Sequence, residues 1–136
     1  MQKKDNPGIF PAAITSVVDE LQAHDAVLGL ILFGSVARGC ARPYSDVDLC
    51  IVTKKNTPDA VRMELLSYGS KKIDISIFSD LPVQIRFRVI KEGKILFFKD
   101  SLALHRIRVA TVREYLDFEP FITRHSLHAI TADGGS

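Results

Sequence analysis

Asp46 and Asp48, in SDVDL at 45–49, stand two residues apart where the apolar run VDLCIV at 47–52 begins. In an extended strand, residues i and i+2 face the same way with Cα atoms about 6.6 Å apart. Two carboxylates held about 6 Å apart at an effective dielectric constant of 20 repel by about 3 kcal/mol. Such a pair takes up a proton or binds a cation. Asp74, the interior acid of KIDISIF at 72–78, comes within reach of the pair if its strand lies beside theirs. Three hard oxygen donors with no His or Cys partner suit Mg2+, which takes a few carboxylates together with phosphate oxygens and water. Gly34 and Ser35 close the preceding apolar run, VLGLILF at 27–33. A glycine there lets the backbone approach a ligand closely, and a serine-led helix start offers N–H groups to phosphate. Each part alone has an ordinary reading: a Gly-Ser turn, an Asp-x-Asp cap, a strand-edge charge. In this order on successive elements, they describe a nucleoside triphosphate held through its metal.

The surrounding pattern supplies elements to carry these groups. Pro11 opens a predicted helix over about 11–24, with Ile14, Val17, Val18 and Leu21 on one face. Short apolar runs predict buried strands at 27–33 and 47–52. Thr57-Pro58 is the expected cap of a second helix that carries Val61, Leu65 and Tyr68 on one face and ends at Gly69. A third strand is predicted at 72–78. A helix then opens at Asp80-Leu81-Pro82 and stops at Gly93, followed by a strand at 94–98. The last helix is expected over about 101–118, because Pro120 disfavours helical geometry at the residue before it. Strands alternating with helices give an α/β domain built on a central mixed sheet flanked by helices.

At 136 residues, the chain reads as a single domain, 1–136, with its core at about 10–120 and flexible ends at 1–8 and 125–136. Apolar residues make up 46% and charged residues 25%, the balance of a folded globule. A formal charge of +2 gives no reason to expect a nucleic-acid surface. The sequence holds neither a membrane span nor the apolar stretch of a signal peptide, so a cytoplasmic protein is expected. Cys40 and Cys50 are expected as free thiols, Cys50 as a small buried apolar side chain. His125 and His128 share i, i+3 spacing but lack a third ligand in sight. Arg86, Arg88, Lys91 and Lys94 form a basic cluster that is either a solvated face or a contact for nucleotide or an acidic partner. Phe118 and Phe121 offer an apolar contact surface near the end of the last helix.

GSVARG at 34–39, SDVDL at 45–49 and the later strand acid in KIDISIF together resemble the minimal nucleotidyltransferases of the DNA polymerase β superfamily. The likeness runs from about 10 to 120. It is greatest to the MNT-type antitoxins encoded beside HEPN-type toxins, and VREYLDFEPF at 112–121 resembles their C-terminal helix. The resemblance implies a polymerase β-like nucleotidyltransferase fold. It also implies roles: Gly34 and Ser35 cradling the β- and γ-phosphates, Arg38 steadying the loop or the triphosphate, and Asp46 and Asp48 holding Mg2+. Asp74 would complete the metal site and activate the attacking hydroxyl.

An Mg2+-dependent transfer of AMP from ATP is therefore expected, with pyrophosphate released. A polymerase needs further subdomains to hold template and primer, and only residues 99–136 follow the last predicted strand. The acceptor surface is thus expected from another protein, which the resemblance makes a tyrosine of a HEPN-type toxin. Two other readings stand beside it: an antitoxin that masks its toxin without transfer, and a small-molecule nucleotidyltransferase. A homodimer is also compatible with the sequence.

Overall fold

The computed structural model describes residues 12–34 and 47–132, with burial assigned for 14–34 and 47–118. In chain order the elements are α1 (Ala12–Ala23), β1 (Val27–Phe33), β2 (Val47–Thr53), α2 (Asp59–Leu66), β3 (Ile73–Ile77), α3 (Val83–Glu92), β4 (Lys94–Phe98) and α4 (Ser101–Ala132). A 3-10 turn, Phe78–Asp80, links β3 to α3. The strands form one mixed sheet in the order β3-β2-β1-β4. β1 pairs antiparallel with both β2 and β4, and β2 pairs parallel with β3.

The central strands are continuous apolar runs because both sheet faces are covered. One face carries Leu30, Leu32, Val47, Leu49, Ile51 and Ile73, packed against Ile14 and Leu21 of α1 and Leu65 of α2. The other carries Ile31, Cys50 and Val52, packed against Val89 of α3 and Ile107 of α4. Side chains alternate between the two faces along each strand. Asp48 therefore belongs to the second face, in the row that continues inward through Cys50 and Val52.

Three local features differ from expectation, the first being that α2 ends at Leu66 with Ser67 as its C-cap rather than running to Gly69. Thr57 does not cap α2: its hydroxyl donates to the Lys54 carbonyl at 2.7 Å, and Pro58 occupies the N-cap without a side-chain bond. Proline presets the backbone for a helix start, so the hydroxyl is free to close the preceding turn. The last helix does not stop near 118 but continues to Ala132 with Pro120 inside it. Proline removes one N–H from the ladder and biases its predecessor, and a long helix with bonds on both sides can absorb that local loss. The start of α4 is fixed by Asp100, whose carboxylate accepts from the backbone N–H groups of Leu102 and Ala103 at 3.0 and 3.2 Å.

Arg86 fastens α3 to α4. Its guanidinium donates to both Glu114 oxygens at 2.9 and 3.0 Å and to the Leu81 carbonyl at 2.9 Å. Beside it, Phe87 and Tyr115 stack with ring centroids 3.9 Å apart. The expected basic cluster is thus divided. Arg86 is a structural tie, while Arg88, Lys91 and Lys94 are exposed. Hydrogen bonding from Arg86 holds the Glu114 carboxyl below its ordinary value of 4.5. A depressed carboxylate contributes stability above its unfolded pKa and loses it as pH falls through the folded one. The acid limb of a melting-temperature profile should therefore flatten in Glu114→Gln, and Arg86→Ala should melt lower than wild type at neutral pH. An acid limb unchanged in Glu114→Gln would show that the pair contributes nothing.

Candidate active site

Asp48 and Asp74 are register partners on the parallel strands β2 and β3. Paired residues on neighbouring strands face the same way, with the strands about 4.8 Å apart. Phe33, the last residue of β1, is the partner of Asp48 on the other side. Phe33, Asp48 and Asp74 therefore form one row across the sheet end where β1 stops and β2 and β3 start. Asp48 is half-buried and Asp74 exposed, so the row opens from the core edge to solvent.

Gly34 follows Phe33 with φ of +85°, a left-handed geometry that side chains with a Cβ rarely adopt. A Cβ added there would overlap Asp48 Oδ2 and lie 3.2 Å from its Cγ. The Gly34 backbone thus lies directly over the Asp48 carboxylate. The turn and the acids occupy the same end of the same sheet.

Inward of Asp48 lies Cys50, fully buried and without a disulfide. Burial pushes its thiol up to about 12, so it stays neutral at physiological pH and is no nucleophile. Asp48 begins where this apolar floor ends. Two carboxylates on adjacent strands repel by about 1 kcal/mol in water-like surroundings and about 3 kcal/mol at a dielectric constant of 20. A divalent cation between the two carboxylates would relieve that repulsion. All the donors are oxygens, which suits a hard ion.

Of the residues singled out in the sequence, the structure brings Gly34, Asp48 and Asp74 together. Ser35, Arg38, Asp46 and Cys40 lie outside the described residues, as do the side chains of Phe121, His125 and His128. Among the described residues, no group of three or more His, Cys, Asp or Glu side chains is gathered as for a metal. Phe33 was not anticipated as part of the row. Its signal was its place immediately before Gly34, but its pairing with Asp48 depends on the register of β1 against β2. No helix among the described residues is long and apolar enough to cross a membrane.

Residues 15–102 match the family described as Polymerase beta, Nucleotidyltransferase. The chain is 38% identical over 105 residues to a Methanocaldococcus jannaschii protein named as a protein adenylyltransferase, covering 76% of this chain and 82% of that one. Among solved structures, it resembles a chain of a toxin–antitoxin complex with AMP-PNP, with a TM-score of 0.62 and 19% identity over 90% of this chain and 95% of that one. It also resembles a chain of the complex of a tri-AMPylated Shewanella oneidensis HEPN toxin with its MNT antitoxin, with a TM-score of 0.57 and 18% identity over 98% of both. At these identities the structural likeness carries the fold, which is that of the polymerase β-like nucleotidyltransferases.

Proposed function

Because this chain belongs to the polymerase beta nucleotidyltransferase family, we propose that it moves AMP from ATP to a hydroxyl of a partner protein, a tyrosine of a HEPN-type toxin, and so acts as an antitoxin. The observation that carries this reading is the register pairing of Asp48 with Asp74 beneath the open backbone of Gly34. The protein acceptor is supported by the relative named as a protein adenylyltransferase.

In the reaction, Asp46 and Asp48 would hold Mg2+, with Asp74 completing the site; when bound, the cation neutralises triphosphate charge and eases deprotonation of the acceptor. The family resemblance would give Gly34 and Ser35 the task of holding the β- and γ-phosphates, and Arg38 that of steadying the loop or the triphosphate. Asp74, the exposed member of the pair, accepts the proton of the acceptor hydroxyl at a carboxylate oxygen. That hydroxyl oxygen forms a bond to the α-phosphorus as the α–β bridging P–O bond breaks, and pyrophosphate carries away the bonding electrons. The half-buried Asp48, at the edge of the apolar floor, contributes fixed charge where water is partly excluded.

Asp74→Ala should therefore spare ATP binding more than transfer. Titration with AMP-PNP and single-turnover transfer separate the two, and equal losses in both would remove the acceptor role from Asp74. The reading as a whole is tested by incubating the protein with labelled ATP, Mg2+ and the protein encoded beside it. Label on the partner supports transfer. A tight complex without label means neutralisation by masking, and label on a small molecule alone means a different acceptor class.

A further inference from the structure

We propose that the outward face of α4 between Leu102 and Leu116 is the seam on which the acceptor protein docks, and that its occupant is an amphipathic helix with acidic flanks. This inference rests on the protein-acceptor reading above.

Leu102, Val109, Val112 and Leu116 are 54%, 40%, 37% and 58% exposed. Their spacings of seven, three and four residues are those of the a and d positions of a helix-pairing seam. The vacant d position between Leu102 and Val109 is His105, also exposed. The opposite face of α4 is the one packed inward: Thr111 is buried, Ile107 joins the core, and Glu114 is held by Arg86. The seam is thus an apolar stripe additional to the one the fold uses. α3, on which α4 packs, has 10 residues against 32 in α4, or about 15 Å against about 48 Å of helix.

The flanks decide the occupant. The positions bordering the seam carry Arg106 and Arg113 on one side and Arg108 on the other, all exposed. Of the two acids in the same stretch, Glu114 is committed to Arg86 and Asp117 lies farther round the helix. Flanking charges set partner choice in paired helices, because like charges across the seam repel. A second copy would set arginines against arginines. A partner helix with Asp or Glu at its flanks would meet complementary charge on both sides of the apolar strip.

The test uses two double variants of the full chain, Val109→Glu with Leu116→Glu, and Arg106→Glu with Arg113→Glu. Each is titrated calorimetrically against the protein encoded beside it and, separately, against AMP-PNP. Both variants should bind the partner on the order of 100-fold more weakly, with AMP-PNP affinity unchanged. The arginine variant keeps the test valid if the apolar one melts early, since it replaces only exposed side chains. Charge reversal of acidic residues on the partner should restore binding to the arginine variant. If wild type transfers AMP and both variants bind the partner as tightly as it does, the seam is overturned while the transferase reading stands. If wild type neither binds nor modifies the partner, both fall. If the variants convert a wild-type dimer to monomer in sedimentation with partner binding intact, the occupant is a second copy and the acidic partner is overturned.

Discussion

Asp48→Asn is expected to reduce AMP transfer by about a thousand-fold while leaving the protein folded. The substitution keeps the shape of the side chain and removes its charge. The backbone of β2 is held by ladders to β1 and β3 that the amide does not disturb. The substitution removes one anionic donor from the site and lessens the repulsion between register partners Asp48 and Asp74. In the absence of divalent cation, the variant should still unfold cooperatively, as wild type does. In the presence of Mg2+ and ATP, wild type should gain stability that the variant does not, because a ligand bound only by the folded state stabilises it by mass action. Calorimetry with and without Mg2+-ATP, together with transfer rates, reads all of this. A variant that transfers at the wild-type rate would remove Asp48 from the site, and one that melts far below wild type would make its role structural.

Gly34→Ala is expected to damage both fold and catalysis. A left-handed backbone with a Cβ costs about 1–2 kcal/mol, and Gly34 has φ of +85°. The new methyl also overlaps Asp48 Oδ2, so either the turn or the carboxylate must move. A shift of about 1 Å in a catalytic group can cost about 100-fold in rate, which is the loss expected here. The two effects separate in the double variant. Gly34→Ala added to Asp48→Asn should melt below Asp48→Asn alone and cost less transfer than the product of the two single losses, because the part of the Gly34→Ala loss that acts through the Asp48 carboxylate is already gone. Full multiplicative loss would mean that Gly34 acts independently of Asp48.

The strands were legible because their chemistry is local. β1 and β4 fall at the limits that their apolar runs predict, and α3 lies between Pro82 and Gly93, although Gly93 ends it in extended rather than left-handed backbone. The helix α2 shows Leu65 buried and Val61 against the core, as its periodicity requires, while Tyr68 reaches the core from the turn after the helix. What sequence left conditional was adjacency. Asp74 could meet Asp48 only if β3 lay beside β2, and that parallel pairing follows from how α2 crosses the sheet rather than from any residue in either strand. Long-range partners were also hidden. Nothing near Arg86 announces Glu114, 28 positions away, so a structural tie was grouped with surface lysines. Pro120 was overweighted because a local backbone bias was allowed to end a helix that other bonds sustain. The seam on α4 had a visible spacing, but its exposure depends on which face α3 and the sheet occupy.

Intact-mass analysis of the protein encoded beside this chain, after co-expression of the two, tests the central claim most directly. The predicted result is one or more AMP adducts, mapped to tyrosine, that vanish when the enzyme carries Asp48→Asn. An unmodified partner in a stable complex with wild type, or adducts undiminished by Asp48→Asn, would contradict it.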